Sequence, residues 1–146
     1  MGDPCAGGSS ARTAGEAMVL FPKTCAPATT VARARALFTD DHVHALLVVD
    51  GTRLLSVVER EDLSGTASPD VPAHQLGRLE GRTVPPGAGL DGIADQLRAE
   101  GRRRMAVVED GRLLGLLCFK RSGRGFCSDA DIAARSRERA LLAAGC

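Results

Sequence analysis

The side chains best suited to chemistry lie at the ends of two similar segments of the sequence. The first segment, Ser56–Asp62, reads SVVERED and ends with carboxylates, which act only as hydrogen-bond acceptors. The second segment, Gly115–Arg121, reads GLLCFKR and ends with cations. Its donors suit phosphate groups, because arginine presents a planar fork of N–H groups. These donors are Lys120, Arg121 and Ser122.

Other clusters of reactive side chains are weaker. His42 and His44 form an H-x-H pair that could ligate zinc beside two aspartates, but no third ligand stands at a diagnostic spacing. The five cysteines are odd in number and irregularly spaced, which predicts neither a disulfide framework nor a zinc site. We interpret Cys25 and Cys118 as small buried thiols, and nothing in the sequence brings Cys118 and Cys127 together as a redox pair. Without a nucleophile–base pair, we expect no catalysis and no cofactor.

Composition excludes several classes of partner. The chain has 146 residues and a net charge of +1, which is too small a basic excess for general nucleic-acid binding. It has no Trp or Tyr and four Phe, so a stacking surface for single strands is not expected. No apolar run reaches the roughly 20 residues that span a bilayer. Because the N-terminus also lacks the order of a signal peptide, we expect a cytoplasmic location.

The two segments belong to an internal repeat. Residues 24–31 match 83–90, and 53–58 match 112–117, at an offset of 59. Residues 45–51 match 105–111 at an offset of 60, so we expect single-residue shifts in loops. Such a period indicates two copies of one supersecondary unit. A copy of about 60 residues buries little surface alone, so each copy should pack its sheet against the other.

Each copy reads as strand, helix, strand, strand, helix. In the first copy the predicted elements are Lys23–Cys25, a helix from Val31 to Asp40 capped by Thr29 or Thr30, Ala45–Val49, Leu54–Val58 and a short helix from Glu59 to Leu63. In the second copy they are Arg82–Val84, Leu90–Glu100, Met105–Val108 and Leu113–Phe119. Asp50-Gly51 predicts a type I′ hairpin turn, and Asp110-Gly111 is its counterpart.

Segments outside the two copies also carry signals. Thr13 and Glu16 form a capping-box pattern before an extra helix, and Ser128 with Asp131 forms another before a helix from about Asp129 to Leu142. The expected organisation is a flexible N-terminus at 1–12, a first repeat with its preceding helix at 13–66, a linker at 67–81, a second repeat core at 82–122, and a loop with a C-terminal helix at 123–146.

The repeated pattern resembles a tandem pair of cystathionine-β-synthase (CBS) domains, a Bateman module. The resemblance covers residues 13 to about 122 and rests on T-x-x-P before a capped helix, V-V-D-G or V-E-D-G ending a strand, and R-L-L-[SG] followed by two apolar residues. It implies an α+β fold of two β-α-β-β-α repeats, related by a pseudo-two-fold axis and packed through their sheets. It also implies homodimerisation and adenosyl ligands such as AMP, ATP or S-adenosylmethionine in clefts between the copies.

The family's ligand signature, Gly-h-h-Thr/Ser-x-x-Asp with h apolar, has diverged differently in the two copies. The resemblance makes Asp62 the acceptor for ribose hydroxyls, while Glu59 replaces the hydroxyl residue that helps to hold a phosphate. Because like charges repel, this cleft should prefer a neutral or cationic adenosyl group, require a cation, or hold nothing. In the second copy Cys118 and Arg121 replace the hydroxyl and the aspartate. The other implied ligand-binding residues are Thr24, Cys25, Ala26, His44, Ala45, Thr83, Val84, Arg104 and Met105.

Three functions remain open. The first is a stand-alone, non-catalytic regulatory protein that senses an adenosyl-type ligand and acts on an unknown partner protein through a change of shape or assembly. The second is an interaction protein whose clefts are degenerate. The third is association with nucleic acid through the arginines at positions 102–104, which the low net charge disfavours.

Overall fold

The computed structural model describes residues 11–123 and 125–127 of the chain. The α-helices are α1 (Ala14–Ala17), α2 (Val31–Leu37) and α3 (Leu90–Glu100). The strands are β1 (Leu46–Asp50), β2 (Arg53–Val58), β3 (Thr83–Val84), β4 (Arg104–Glu109) and β5 (Arg112–Cys118). Two 3₁₀ helices lie at Arg60–Leu63 and Ala73–Gln75. The predicted helix and the capping box that begin at Ser128 lie outside the described residues.

The strands form one sheet in the order β1-β2-β5-β4-β3. β1–β2 and β4–β5 are antiparallel hairpins, and β3 lies parallel to β4. A single pair, Arg53 with Arg112, joins the two hairpins next to their turns. The predicted strand at Lys23–Cys25 is reduced to one parallel bridge from Cys25 to Val48. This bridge occupies the place that β3 occupies in the second copy.

Backbone pairing relates the two copies by a constant offset of 59 residues. Cys25 pairs with Val48 as Val84 pairs with Val107. Each hairpin also has a register shift at the equivalent place, between Val48 and Val49 and between residues 107 and 108. The predicted offset of 60 across the first strand of the hairpin is therefore wrong. The sequences VVDG and VEDG are similar, but their aspartates differ in structural position. Asp50 is the last paired residue of β1, whereas Asp110 lies in the loop after β4.

The two hairpin turns have different conformations for this reason. In the second copy the loop is Asp110-Gly111 and both residues have positive φ, at 52° and 81°, as a type I′ turn requires. In the first copy Asp50 still pairs with Arg53, so the loop is Gly51-Thr52. Only Gly51 has positive φ there, at 63°, which is the pattern of a type II′ turn. The predicted type I′ turn at Asp50-Gly51 is therefore wrong.

The repeated unit is longer than the sequence suggested, because each copy begins with an additional short helix. This first helix packs into the core of the other copy. Helix α1 packs into the core of the second copy, where Ala14 is fully buried beside Ile93 and Leu97. The 3₁₀ helix at Ala73–Gln75 packs equivalently into the first copy, where Ala73 is fully buried. Ala14 and Ala73 are themselves 59 positions apart. The segment that we predicted as a linker thus contains the counterpart of α1.

A third apolar cluster joins the copies through their sheets. Leu47, Leu54 and Val57 of the first hairpin pack with Ala106 of the second, and all of these side chains are at most 2 % exposed. The expected α+β fold of two repeats packed through their sheets is therefore confirmed. Within the described residues no helix is long and apolar enough to cross a membrane.

Most predicted helix ends agree with the structure. Thr30 caps α2, and its hydroxyl accepts a hydrogen bond from Arg33 N at 3.1 Å. Gly101 ends α3 with a left-handed backbone at φ 66°. Glu16 closes the capping box of α1 by accepting from Thr13 N at 3.1 Å. The end predicted for α2 is wrong, because the helix stops at Leu37 instead of continuing to Asp40.

Candidate functional site

The 3₁₀ helix at Arg60–Leu63 holds both acidic candidates of the first copy. Glu59 is its N-cap, and Asp62 stands at its third position. The Asp62 carboxylate turns back and accepts a hydrogen bond from Glu59 N at 2.7 Å. This contact is half of a capping box and holds Asp62 against the start of its own helix. One of the two carboxylate oxygens therefore has a partner within the helix.

Arg82 occupies the rest of the Asp62 carboxylate. Its Nη1 donates to Asp62 Oδ2 at 2.6 Å, and its Nη2 donates to Asp62 Oδ1 at 3.1 Å. Nη1 also donates to the carbonyl oxygen of Val57 at 2.8 Å. Arg82 precedes β3 and is 5 % exposed, so the pair is a nearly buried link between the two copies. The acceptor implied for a ribose is thus covered by an arginine of the chain itself.

Arg102 neutralises Glu59 in a similar way. Arg102 Nη2 lies 2.8 Å from Glu59 Oε2, and Arg82 Nη2 lies 3.7 Å from Glu59 Oε1. Arg102 Nη1 also donates to the carbonyl oxygen of Gly81 at 2.9 Å. The carboxylate of Glu59 is therefore balanced by two guanidinium groups from the second copy. The repulsion that we expected between Glu59 and an anionic ligand is correspondingly weakened.

A cleft of about 120 Å³ opens next to the ion pair of Arg102 with Glu59. It is lined by His44, Glu59, Arg60, Glu61, Gly101, Arg102, Arg103 and Arg104. Four arginines thus face two glutamates, and the lining has an excess of positive charge. Burial, together with the charges of Arg104 and Arg103, lowers the pKa of His44 from 6.5 to about 4. His44 is therefore neutral at physiological pH, and the cleft favours an anion.

The structure brings together only part of the predicted ligand-binding set. His44, Glu59 and Arg104 line the cleft, and Asp62 lies behind Arg82. Met105 is 1 % exposed inside the core of the second copy, and Ala45 packs at the junction between the sheets. Thr83 and Val84 are half-buried in β3. In the first copy Thr24 is half-buried and Ala26 is exposed.

The interpretation of Cys25 as a buried thiol is correct for its burial and wrong for the thiol. It is 2 % exposed in the core of the first copy, and its sulfur belongs to a disulfide bond. Its backbone forms the bridge to Val48, with N–H donation to the carbonyl oxygen of Leu47 at 2.8 Å. Cys25 therefore extends the first hairpin through its backbone and supplies no free thiol to a site.

The basic candidates of the second copy lie apart from this cleft. Arg121 and Ser122 are exposed and Lys120 is half-buried in the loop after β5. Lys120 N donates to the carbonyl oxygen of Gly125 at 2.8 Å, which closes the loop on itself. The described residues contain no cluster of three or more His, Cys, Asp or Glu side chains that could hold a metal ion.

Sequence reasoning missed Arg82 and Arg60. Arg60 binds the carbonyl oxygens of Phe38, Asp40 and Val43 at 2.9 to 3.2 Å and thereby forms one wall of the cleft. A signal for Arg82 was present, because at an offset of 59 it stands opposite Lys23. The signal was weak, because Lys23 is exposed in the first copy whereas Arg82 is buried in the second.

Comparisons with known proteins agree with this architecture. The family model of the CBS domain matches residues 14–68, and no curated protein matches the chain. The fold is similar to that of a proposed acetoin utilization protein (AcuB) from Vibrio cholerae, with 21% identity, a TM-score of 0.60, and 90% of this chain and 97% of that chain covered. It is also similar to a conserved CBS domain protein of unknown function from Thermoplasma acidophilum, with 23% identity, a TM-score of 0.58, and 86% and 76% covered.

A third solved structure carries a ligand. The cytosolic domain of the Mg²⁺ channel MgtE in complex with ATP shares 23% identity with this chain at a TM-score of 0.56, with 73% of this chain and 46% of that chain covered. The fold and the site thus define a pair of repeats with a cleft between them. The CBS-domain match over residues 14–68 and the fold shared with these solved structures support the tandem CBS-domain pair, or Bateman module, that the internal repeat predicted.

Proposed function

We propose that this protein is a non-catalytic regulatory module that binds an adenosyl-type ligand carrying phosphate in the cleft beside Asp62. The observation that carries the proposal is the charge of the lining, where four arginines face two glutamates and His44 is neutral. Phosphate oxygens accept hydrogen bonds from guanidinium groups in a geometry that lysine cannot match. AMP, ADP or ATP therefore suits this cleft better than the neutral or cationic ligands that Glu59 alone suggested.

Binding at Asp62 requires an exchange of partners. The ribose hydroxyls reach the Asp62 carboxylate only after Arg82 has left it, because Arg82 holds both oxygens. A phosphate group in the cleft would offer Arg82 and its neighbours a new anionic partner, so the exchange need not leave a charge unpaired. Arg82 belongs to the second copy and Asp62 to the first, so the exchange changes the contact between the copies.

This exchange supplies the regulatory output. A ligand shifts an equilibrium only by its different affinities for two states, here with Arg82 on Asp62 or on the ligand. We propose that the altered contact between copies changes homodimer assembly or docking on a regulated partner protein in the cytoplasm. The division into repeats at 13–66 and 82–122 is part of this proposal, with the exchanged first helices as the additional link between them.

A thermal-shift panel with adenosine, AMP, ATP and S-adenosylmethionine tests the ligand class. At 100 times its dissociation constant a ligand adds about 2.7 kcal/mol to stability. We expect stabilisation by AMP or ATP, a smaller effect of adenosine, and loss of the nucleotide effect in R103Q/R104Q. The matched control is R112Q, which changes an exposed arginine at the strand end outside the cleft lining and should keep the effect.

A second candidate function is supported by the same ion pairs. Both oxygens of Asp62 are occupied, and Cys118 and Arg121 replace the family's ligand residues in the other copy. These features suit an interaction protein with degenerate clefts. No stabilisation by any adenosyl compound, in the native chain or in R82Q, would favour this candidate and overturn the sensor. Salt-dependent retardation of DNA or RNA would instead support the third function, nucleic-acid association.

A further inference from the structure

We propose that Cys118 and Cys127 form a redox-sensitive pair that closes into a disulfide across two paired backbone segments. Cys118 ends β5, and residues 125–127 return beside it. Phe119 and Phe126 form an antiparallel bridge, and Cys127 N donates to the carbonyl oxygen of Cys118 at 2.7 Å. In this register Cys118 and Cys127 stand directly opposite each other.

The side chains of such an opposed pair project from the same face of the sheet. Directly opposite residues in a hydrogen-bonded antiparallel pair have Cα atoms about 5.5 Å apart, within the range of roughly 4.4 to 6.8 Å that a disulfide needs. Both cysteine side chains pack with Val19 in one small buried cluster. The neighbouring rings of Phe119 and Phe126, with centroids 5.1 Å apart, hold the register. The sulfurs can therefore meet with little backbone movement.

The proposed chemistry uses a peroxide as the oxidant. Cys127 is 6 % exposed and Cys118 is 3 % exposed, so Cys127 is the more accessible first site. Hydrogen peroxide transfers one oxygen atom to the Cys127 sulfur, which gives a sulfenic acid and one water. The Cys118 thiol then attacks that sulfur, the S–S bond forms, and the oxygen leaves with the thiol proton as a second water. A thiol reductant reverses the step by exchange.

Formation of the disulfide would restrain the loop that carries the basic side chains of the second copy. Lys120, Arg121 and Ser122 lie between the two cysteines. Cys118 also occupies the position that Glu59 occupies in the first copy, 59 residues earlier. A disulfide at this position would fix the loop that carries these three residues, while the arginine-lined cleft would remain unchanged. The inference does not depend on ligand binding at Asp62.

The test uses the full-length reduced chain, so no variant has to fold. The chain is treated with hydrogen peroxide, alkylated, digested with trypsin without reductant and analysed by mass spectrometry. Cleavage after Lys and Arg places Cys118 in the peptide 113–120 and Cys127 in 125–135. We expect these two peptides as one linked species, lighter than their sum by two hydrogen atoms and separated by dithiothreitol.

Two further measurements sharpen the outcome. In C118S, the peroxide-treated Cys127 should be captured as a sulfenic acid by dimedone, because its resolving thiol is missing. C146S should keep the linked species and is the matched control. If both cysteines remain alkylatable after peroxide, oxidise to sulfinic acid without linking, or link only to other cysteines, the proposal is overturned. A linked species in the native chain and in C146S supports it.

Discussion

Arg82 and Asp62 form a bidentate ion pair across the two copies, with N–O distances of 2.6 and 3.1 Å. Arg82 also donates to the carbonyl oxygen of Val57, while its buried Nε has no partner within the described residues. The pair thus attaches the 3₁₀ helix of the first copy to the start of β3 in the second. It both stabilises the junction and covers the proposed ribose acceptor.

Breaking this pair from one side should be costly. We expect R82M to lower the free energy of unfolding by about 3 kcal/mol, because Asp62 would keep a mostly buried and uncompensated charge. R82M/D62N should recover part of that loss, since the remaining groups are neutral. Urea unfolding of the single and double variants measures the coupling. The control D95N breaks an exposed pair with Arg98 and should cost less than about 1 kcal/mol. Equal losses in R82M and D95N would contradict the prediction.

A second prediction concerns the glycine of the family signature. A Cβ on Gly115 would lie 2.7 Å from Met18 Sδ and 2.8 Å from the carbonyl oxygen of Val19. Val19 is hydrogen-bonded to Leu116 in both directions and cannot move away easily. We therefore expect G115A to destabilise the chain by about 1 to 3 kcal/mol.

The matched control for this substitution is Gly92, inside α3. A Cβ there meets nothing within 4 Å, so G92A should stabilise the chain by about 0.5 to 1 kcal/mol through helix propensity. Thermal denaturation of both variants measures the effects. Destabilisation by G115A together with stabilisation by G92A supports close packing of Met18 on Gly115. A G115A variant of unchanged stability would show that this contact can relax.

A third prediction compares the two helix starts that the repeat makes equivalent. Thr30 caps α2 through its hydroxyl, whereas Gly89 caps α3 without a side-chain bond. We expect T30A to cost about 1 kcal/mol and G89S to gain a few tenths of a kcal/mol. The gain is sterically allowed, because a Cβ on Gly89 meets nothing within 4 Å. Urea midpoints of both variants measure these changes, and a stabilised T30A would contradict the capping role.

The repeat, the hairpins and most helix ends could be predicted because they depend on local signals. Gly101, Thr30 and the Asp110-Gly111 turn act within a few residues of themselves. The exchange of first helices could not be predicted, because a four-residue helix has too few residues to show which core it enters. The turn at Gly51 was mispredicted because an aspartate before glycine resembles a type I′ turn in either register.

The site was harder to predict than the fold for a related reason. Glu59 and Asp62 are visible as acidic residues, but the guanidinium groups that pair with them, on Arg82 and Arg102, stand 20 and 43 positions away along the chain. The surroundings of Ser56 also depend on residues that are distant in sequence. Ser56 is buried at the position where the second copy has Gly115. Gly77 makes room for Ser56, and Met18 fills the equivalent space beside Gly115. Such exchanges appear only when the offset of 59 is applied throughout.

The last prediction is that His44 makes stability sensitive to mild acid. Burial and the nearby charges of Arg104 and Arg103 lower its pKa from 6.5 to about 4, so the folded state binds this proton later than the unfolded chain. Between these values the unfolded state holds more protons, and stability must fall as pH falls from about 6.5 to about 4. H44Q should flatten this decline in urea unfolding at pH 7, 5.5 and 4.5, whereas H74Q, outside the cleft lining, should not. Equal slopes in all three chains would show that burial and the nearby arginines do not hold His44 neutral.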